Sequence, residues 1–306
     1  MIVNGIDTKD ISVVVQGAVD KMNTPKCIHS LRKHLPGAQI VLSSWVGTDI
    51  SNLLVDDIVL SADPGGFKDK LCTTFTNNTL RQIVSTQAGI KKAVGKYILK
   101  IRSDLIFRSC DFLKWFTAYP DHNLEKPVFS QRIIFSSFFT KAFCSTETVD
   151  QPLPFHVSDW FVFGTAEDIR FLYDIDLPQE PYNSWYLSEI NYQSVKPNLL
   201  GATHRYAPEQ YIFYSACAKV YPEIKFDHYM DYTRENIQWS DRLIANNCII
   251  LDPWQSKFIC GKKKAGNDRY KRWSLLPFTL PKTLVKGLYL NSKFNELYKQ
   301  YCIDGE

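Results

Sequence analysis

The densest chemistry in this chain sits in one octapeptide, Tyr97-Ile98-Leu99-Lys100-Ile101-Arg102-Ser103-Asp104. A carboxylate just past an apolar run suits a divalent cation bridging two phosphates, because magnesium and manganese take oxygen ligands. Asp104 is the metal ligand on that reading, and Arg102 adds a fixed charge able to neutralise a departing diphosphate. A turn aspartate beside a surface ion pair accounts for the same residues. Asn77, Asn78, Arg81 and Gln82 open the preceding helical stretch. Free amides at a helix start attract anions, so Asn78 and Arg81 are candidates for phosphate or ribose contact, with plain capping as the alternative.

A second group is His156-Val157-Ser158-Asp159-Trp160, which runs into the apolar Phe161-Val162-Phe163. An aspartate against an aromatic wall tends to have a raised pKa, which suits a general base or a partner for a sugar hydroxyl. Asp159 is therefore a catalytic candidate, with His156, Ser158 and Trp160 as acceptor contacts; a buried capping aspartate is the competing reading. Pro208-Glu209-Gln210 starts a helix, and Glu209 is either a first-turn dipole partner or a second candidate base. Arg205, just upstream, is placed on the acceptor side. His228, between Asp227 and Tyr229, is a candidate late metal ligand, although a lone histidine is more often structural.

These residues need elements to position them. Ile11–Val15 is a continuous β-branched run, as in a strand buried on both faces. Thr24-Pro25 predicts a helix start, Ile28, Leu31 and Leu35 share one face, and Pro36-Gly37 stops the helix. Strands follow at Ile40–Leu42 and Asp57–Leu60, the latter ending in the loop Ser61-Ala62-Asp63-Pro64-Gly65-Gly66. A helix over Thr79–Ala93, with Leu80, Ile83, Val84 and Ala88 inward, precedes a strand over Tyr97–Arg102. This β-α-β-β-α-β order predicts an α/β fold with a mixed, mostly parallel sheet flanked by helices. Ligands of such sheets sit at the carboxyl ends of the strands, here Gln16-Gly17, Ser44-Trp45, Asp63-Pro64 and Ser103-Asp104. Beyond residue 111 aromatics and prolines become dense. We divide the chain into a nucleotide-binding half (1–110), an acceptor-binding half of the same domain (111–256) and a basic C-terminal segment (257–306).

The 306 residues are 45% hydrophobic and 22% charged, which excludes disordered and low-complexity classes. A net charge of +4 does not predict a nucleic-acid binder. Residues 257–272 carry seven basic and one acidic side chain, so the rest of the chain is slightly acidic. Lys262, Lys263, Lys264, Arg269, Lys271 and Arg272, interleaved with Tyr270 and Trp273, fit either a solvated tail or peripheral docking on an anionic membrane. The eight cysteines are dispersed without a C-x-x-C, which argues against structural zinc. With no export signal and no apolar span of about 18 residues, the expectation is a cytoplasmic protein with reduced cysteines.

Taken in order, Val13-Val14-Val15-Gln16-Gly17, the run Leu31–Trp45, Asp63-Pro64-Gly65, Arg81-Gln82-Ile83-Val84-Ser85-Thr86, Lys100–Asp104 and Ser158-Asp159-Trp160 resemble the WavE family of lipopolysaccharide-synthesis proteins. The resemblance covers about residues 11–215 and is specific as a set rather than piece by piece. It implies a GT-A-like, Rossmann-related glycosyltransferase using a nucleotide-diphosphate sugar and a glycan or lipid-linked acceptor. In that fold an Asp-x-Asp triplet at a strand end holds Mg²⁺ or Mn²⁺ on the diphosphate. The corresponding triplet here is Arg102-Ser103-Asp104, with arginine in place of the first carboxylate, which weakens the metal site. On this reading Gln16, Gly17 and Asp63 hold the nucleoside, with Trp45 and Asn78 also on the donor side. Arg81 and Arg102 hold phosphates, Asp104 the metal, and Asp159 or Glu209 the acceptor hydroxyl. A sugar nucleotidyltransferase is disfavoured because Gln16-Gly17-Ala18-Val19-Asp20 is not a glycine-rich phosphate loop, and a nicotinamide enzyme because no G-x-G-x-x-G follows the first strand. A glycan- or nucleotide-binding assembly protein without catalysis is the non-enzymatic alternative.

Overall fold

The computed structural model describes residues 1–68, 76–123, 126–141, 143–145, 150–187, 204–261 and 292–305. Seven strands build the central sheet: β1 (Ile11–Gln16), β2 (Gln39–Trp45), β3 (Asp57–Ser61), β4 (Tyr97–Arg102), β5 (Ile133–Ser136), β6 (Phe161–Thr165) and β7 (Cys248–Leu251). Their order across the sheet is β7-β5-β6-β4-β1-β2-β3. Neighbours β1–β2, β2–β3, β1–β4 and β5–β7 are parallel, whereas β6 runs antiparallel to both β4 and β5. A sheet buried on both faces needs apolar side chains in both directions. Val13, Val14 and Val15 of β1 are each fully buried and point alternately into two cores.

Helices cover both faces: α1 (Thr24–His34), α2 (Thr79–Lys92), α3 (Ala166–Tyr173), α4 (Pro208–Val220) and α5 (Arg234–Asn247). Ile28, Leu31 and Leu35 are buried in the predicted pattern. The inward face of α2 differs from expectation. Ile83 is buried, but Leu80, Val84 and Ala88 are only half-buried, while Thr79, Ser85, Thr86, Gly89 and Ile90 are buried, Ser85 and Gly89 directly against β1 and β2. Small residues there let the helix approach the strands closely, a requirement that hydrophobic periodicity does not report.

Strands from residues 1–110 and 111–256 share the one sheet. The fold also continues past residue 257, because Phe258–Cys260 pairs antiparallel with Leu105–Phe107. A terminal helix, α6 (Ser292–Tyr298), buries Phe294 and Leu297. The buried Arg132 guanidinium anchors this region, donating to the carbonyls of Tyr119 and Asp121 at 2.6 Å and lying 5.0 Å from the Tyr298 ring. Cys27, Cys110, Cys217, Cys248, Cys260 and Cys302 are free thiols. Among the described residues no helix is long and apolar enough to cross a membrane. Lys262, Lys263, Lys264, Arg269, Lys271 and Arg272 lie outside the described residues.

Candidate functional site

The parallel strands β1, β2, β3 and β4 end together, with Gln16 opposite both Ser43 and Arg102 and Trp45 opposite Ser61. Beyond these ends lies a cleft of about 440 Å³. Its walls include Gln16, Gly17, Trp45, Asp63, Asn78, Arg81, Arg102 and Asp104, so it gathers every residue assigned from sequence to the donor, together with the proposed metal ligand. Ala18, Gln82 and Ser103 complete it. Gly17 has φ +105°, a conformation that a residue with Cβ rarely adopts, and its amide donates to Ser43 O at 3.0 Å. Ser103 Oγ closes the opposite side by donating to Ala18 O at 2.6 Å.

Charge in the cleft is organised as two forks. Arg81 donates through Nε and Nη2 to the two Asp63 carboxylate oxygens, each at 2.7 Å, and through Nη1 to Asn78 Oδ1 at 3.0 Å. Hydrogen bonding from Arg81 holds the Asp63 carboxyl below its usual range. The Asp63 loop reaches α2 because Gly66 leaves room: a Cβ there would lie 2.6 Å from Thr76 Cγ2 and 2.8 Å from Asn78 Oδ1. Arg102 donates to Asp104 through Nε at 3.0 Å and Nη2 at 2.8 Å, and its guanidinium lies 3.6 Å from the Trp160 ring centroid. Trp160 is stacked in turn on Phe139, 4.2 Å away. The aromatic pair fixes the plane of the fork, a combination of stacking and bidentate bonding that lysine cannot supply.

The N-terminus of α2 opens on the same space through Asn78, Arg81 and Gln82. Asn78 makes no side-chain cap; Asn77 Oδ1 instead accepts from Thr79 N at 2.9 Å. Gln82 Oε1 is buried without a hydrogen-bond partner among the described residues, a polar atom in the cleft wall. A helix start flanked by two arginines is a favourable environment for a phosphate group.

The donor set does not fit a divalent cation. Both oxygens of Asp104 accept from Arg102, and both of Asp63 accept from Arg81. Among the described residues there is no group of three or more His, Cys, Asp or Glu side chains arranged to hold a metal ion. His228, the proposed second ligand, is absent from the cleft walls; its ring lies 5.8 Å from that of Tyr186, and its charged neighbours are Asp231, Asp227 and Arg205. Burial among them lowers its pKa.

The second predicted group is placed differently from expectation. Because β6 is reversed, its first residue, Phe161, sits beside Ile101, and the 156–160 segment is carried to the end of β4. There it is enclosed. His156, Ser158, Asp159 and Trp160 are each 3% exposed or less, so none presents a surface to an acceptor. Ser158 is held by its neighbours, its amide donating to Thr140 Oγ1 and its Oγ accepting from Trp160 N. Trp160 supports Arg102 from behind. Lys100, fully buried, donates to Asp159 O and, at 3.1 Å, to Asp159 Oδ2. Asp159 thus holds a buried ammonium, while its Oδ1 has no hydrogen-bond partner among the described residues. Glu209 is buried at the start of α4, where desolvation and then the Asp159 charge push its carboxyl up to about 7. His156 Nε2 lies 3.9 Å from Glu209 Oε2, and burial keeps this imidazole neutral by lowering its pKa well below the ordinary value. Arg205 stacks 4.2 Å over Trp185 and faces Asp227, outside the cleft.

Comparison with known proteins adds one finding. No curated protein matches the chain. The family model for WavE lipopolysaccharide synthesis matches residues 11–274, spanning the whole sheet, the cleft and the strand pair formed by Leu105–Phe107 and Phe258–Cys260. The chain belongs to the WavE lipopolysaccharide-synthesis family.

Proposed function

We propose that the protein is a glycosyltransferase that moves a sugar from a nucleotide-diphosphate donor to a glycan or lipid-linked precursor of a bacterial-type surface polysaccharide. The observation that carries this reading is the cleft at the carboxyl edge of the sheet, with Arg81, Arg102 and the start of α2 converging on it. In glycosyl transfer the bond from the anomeric carbon to the diphosphate oxygen breaks, and the electron pair leaves with the diphosphate. The acceptor hydroxyl oxygen bonds to that carbon, and its proton passes to the departing diphosphate or to water. Charge grows on the leaving group, and fixed guanidinium donors stabilise it without reorganisation. Arg102, held by Trp160 and Asp104, and Arg81, held by Asp63, are such donors. Gln16, Gly17 and Trp45 form the wall against which the nucleoside rests, and Gln82 Oε1 supplies an acceptor for a hydroxyl or amide. A GT-A-like donor domain is consistent with the mostly parallel sheet.

Divalent metal plays no step in this scheme, because the carboxylates that would hold it are occupied by arginine. That occupancy also favours a second reading, a nucleotide- or glycan-binding assembly protein without catalysis. The two are separated by incubating the protein with sugar nucleotides and following free nucleoside diphosphate. Release that depends on Arg102 supports the transferase; tight binding with no release, with or without acceptor glycans, supports the binder. Failure of every nucleoside diphosphate to raise the melting temperature would contradict the transferase and the nucleotide-binding form of the second reading, leaving only a glycan binder.

A further inference from the structure

A second concavity, of about 590 Å³, lies between α1 and residues 106–108 and shares no lining residue with the donor cleft. Helical spacing puts Lys26, His29 and Lys33 on one stripe of α1, and Arg108 faces them from the other wall. The seam is stitched where Phe107 N donates to Ser30 Oγ at 3.0 Å and Ser30 Oγ donates to Cys27 O at 2.7 Å. No acidic side chain lines the groove. Arg32 of the same helix, Lys96 and Lys114 each pair with a carboxylate, Asp56, Asp10 and Asp111 respectively. Lys26, Lys33 and Arg108 form no ion pair among the described residues. Like charges collected in a concave wall repel one another and focus positive potential outward. The charge that relieves this arrangement is a multivalent anion, and arginine with two lysines is a phosphate-binding combination. Pro25 and Ile106 add apolar surface, which suits an organic phosphate rather than a bare ion.

We propose that this groove is a second anion site, which binds a phosphate ester. Its assignment to the acceptor rests on the transferase reading, since the donor phosphates already have Arg81 and Arg102; phosphate binding itself does not. One wall, Ile106–Arg108, begins two residues after Asp104, which lines the donor cleft. The exposed Lys257 lies beside this wall, its carbonyl accepting from Arg108 N at 2.7 Å.

Isothermal titration with inorganic pyrophosphate on the full chain tests the proposal. The wild type should take up about two equivalents, one in each site. Lys26→Glu/Lys33→Glu/Arg108→Glu should lose one of them, its groove affinity falling at least about tenfold, whereas Arg81→Ala/Arg102→Ala loses the other. All three groove positions are exposed, and the milder Lys26→Gln/Lys33→Gln/Arg108→Gln variant, with melting temperature as the folding control, guards against misfolding. Flotation with phosphatidylglycerol vesicles separates the sources. Loss of flotation in the groove variants places the phosphate on a lipid headgroup, and unchanged flotation with loss of pyrophosphate places it on a soluble saccharide. The proposal is overturned if both groove variants keep wild-type pyrophosphate binding and wild-type flotation. If instead only the Arg81/Arg102 variant keeps wild-type binding, the donor-cleft reading fails and the groove stands.

Discussion

Arg102 and Asp104 are joined by two hydrogen bonds across a single intervening residue, with the guanidinium laid flat on Trp160. This relationship decides how the cleft treats charge. A carboxylate at the end of β4 would ordinarily be free to take a cation. Here it is 1% exposed, and both its oxygens are spent on orienting an arginine. The positive charge that faces the cleft is carried by the side chain, and Asp104 acts through it.

Arg102→Lys should therefore be far from conservative. It keeps the charge but loses the fork and the ring contact, and charged hydrogen bonds of this kind contribute about 1.5–3 kcal/mol each. The expected result is a roughly 10–100-fold rise in the dissociation constant for the best-binding nucleoside diphosphate, with little change in melting temperature. Titration calorimetry on the two proteins reads this directly, and equal affinities would remove Arg102 from the donor site.

Lys100 and Asp159 form a wholly buried ion pair, and breaking such a pair leaves an uncompensated charge. Lys100→Met should destabilise the protein by about 3–5 kcal/mol, and adding Asp159→Asn should recover a substantial part. Urea denaturation of the single and double variants checks the sign. A double variant less stable than Lys100→Met would show that Asp159 has a further, stabilising partner.

Glu209 gives the stability a pH dependence. Its folded pKa, about 7, lies above its ordinary value, so the folded state binds the extra proton. Its contribution is fully present below the unfolded pKa and is lost as pH rises through about 7. His156 acts in the opposite sense, because its pKa is depressed and the unfolded state takes the proton first as pH falls. Comparing Glu209→Gln with wild type isolates the first effect. The wild type should lose several degrees of melting temperature relative to the variant between about pH 5 and 8. Parallel melting curves across that range would mean that Glu209 is solvated.

How far the sequence anticipated this molecule follows from the range of the interactions involved. Residues 11–102 were legible because Val13–Val15, Thr24-Pro25 and Pro36-Gly37 are local signals, and strand–helix alternation places strand ends at one edge. Gln16, Trp45, Asp63 and Asp104 could be grouped on that rule alone. The pairing inside the group was not legible: neither the Arg81–Asp63 fork nor the use of Asp104 by Arg102 leaves a trace in spacing. The reversal of β6 depends on pairing Val162 with Lys100 across about sixty residues, so the enclosure of Asp159 and the service of Trp160 to Arg102 were out of reach. His228 and Arg205 were picked by residue type, and their neighbours are set by tertiary packing. The groove of Lys26, Lys33 and Arg108 joins two segments that neither motif nor charge count connects.

In the proposed donor site the diphosphate is held by arginine rather than by a divalent cation. The measurement is the affinity of nucleoside diphosphates for the wild type and for Arg102→Ala, in EDTA and in Mn²⁺. Binding to the wild type should be undiminished in EDTA and should be lost, under either condition, in Arg102→Ala. Binding that appears only with Mn²⁺ and disappears in Asp104→Asn would contradict it.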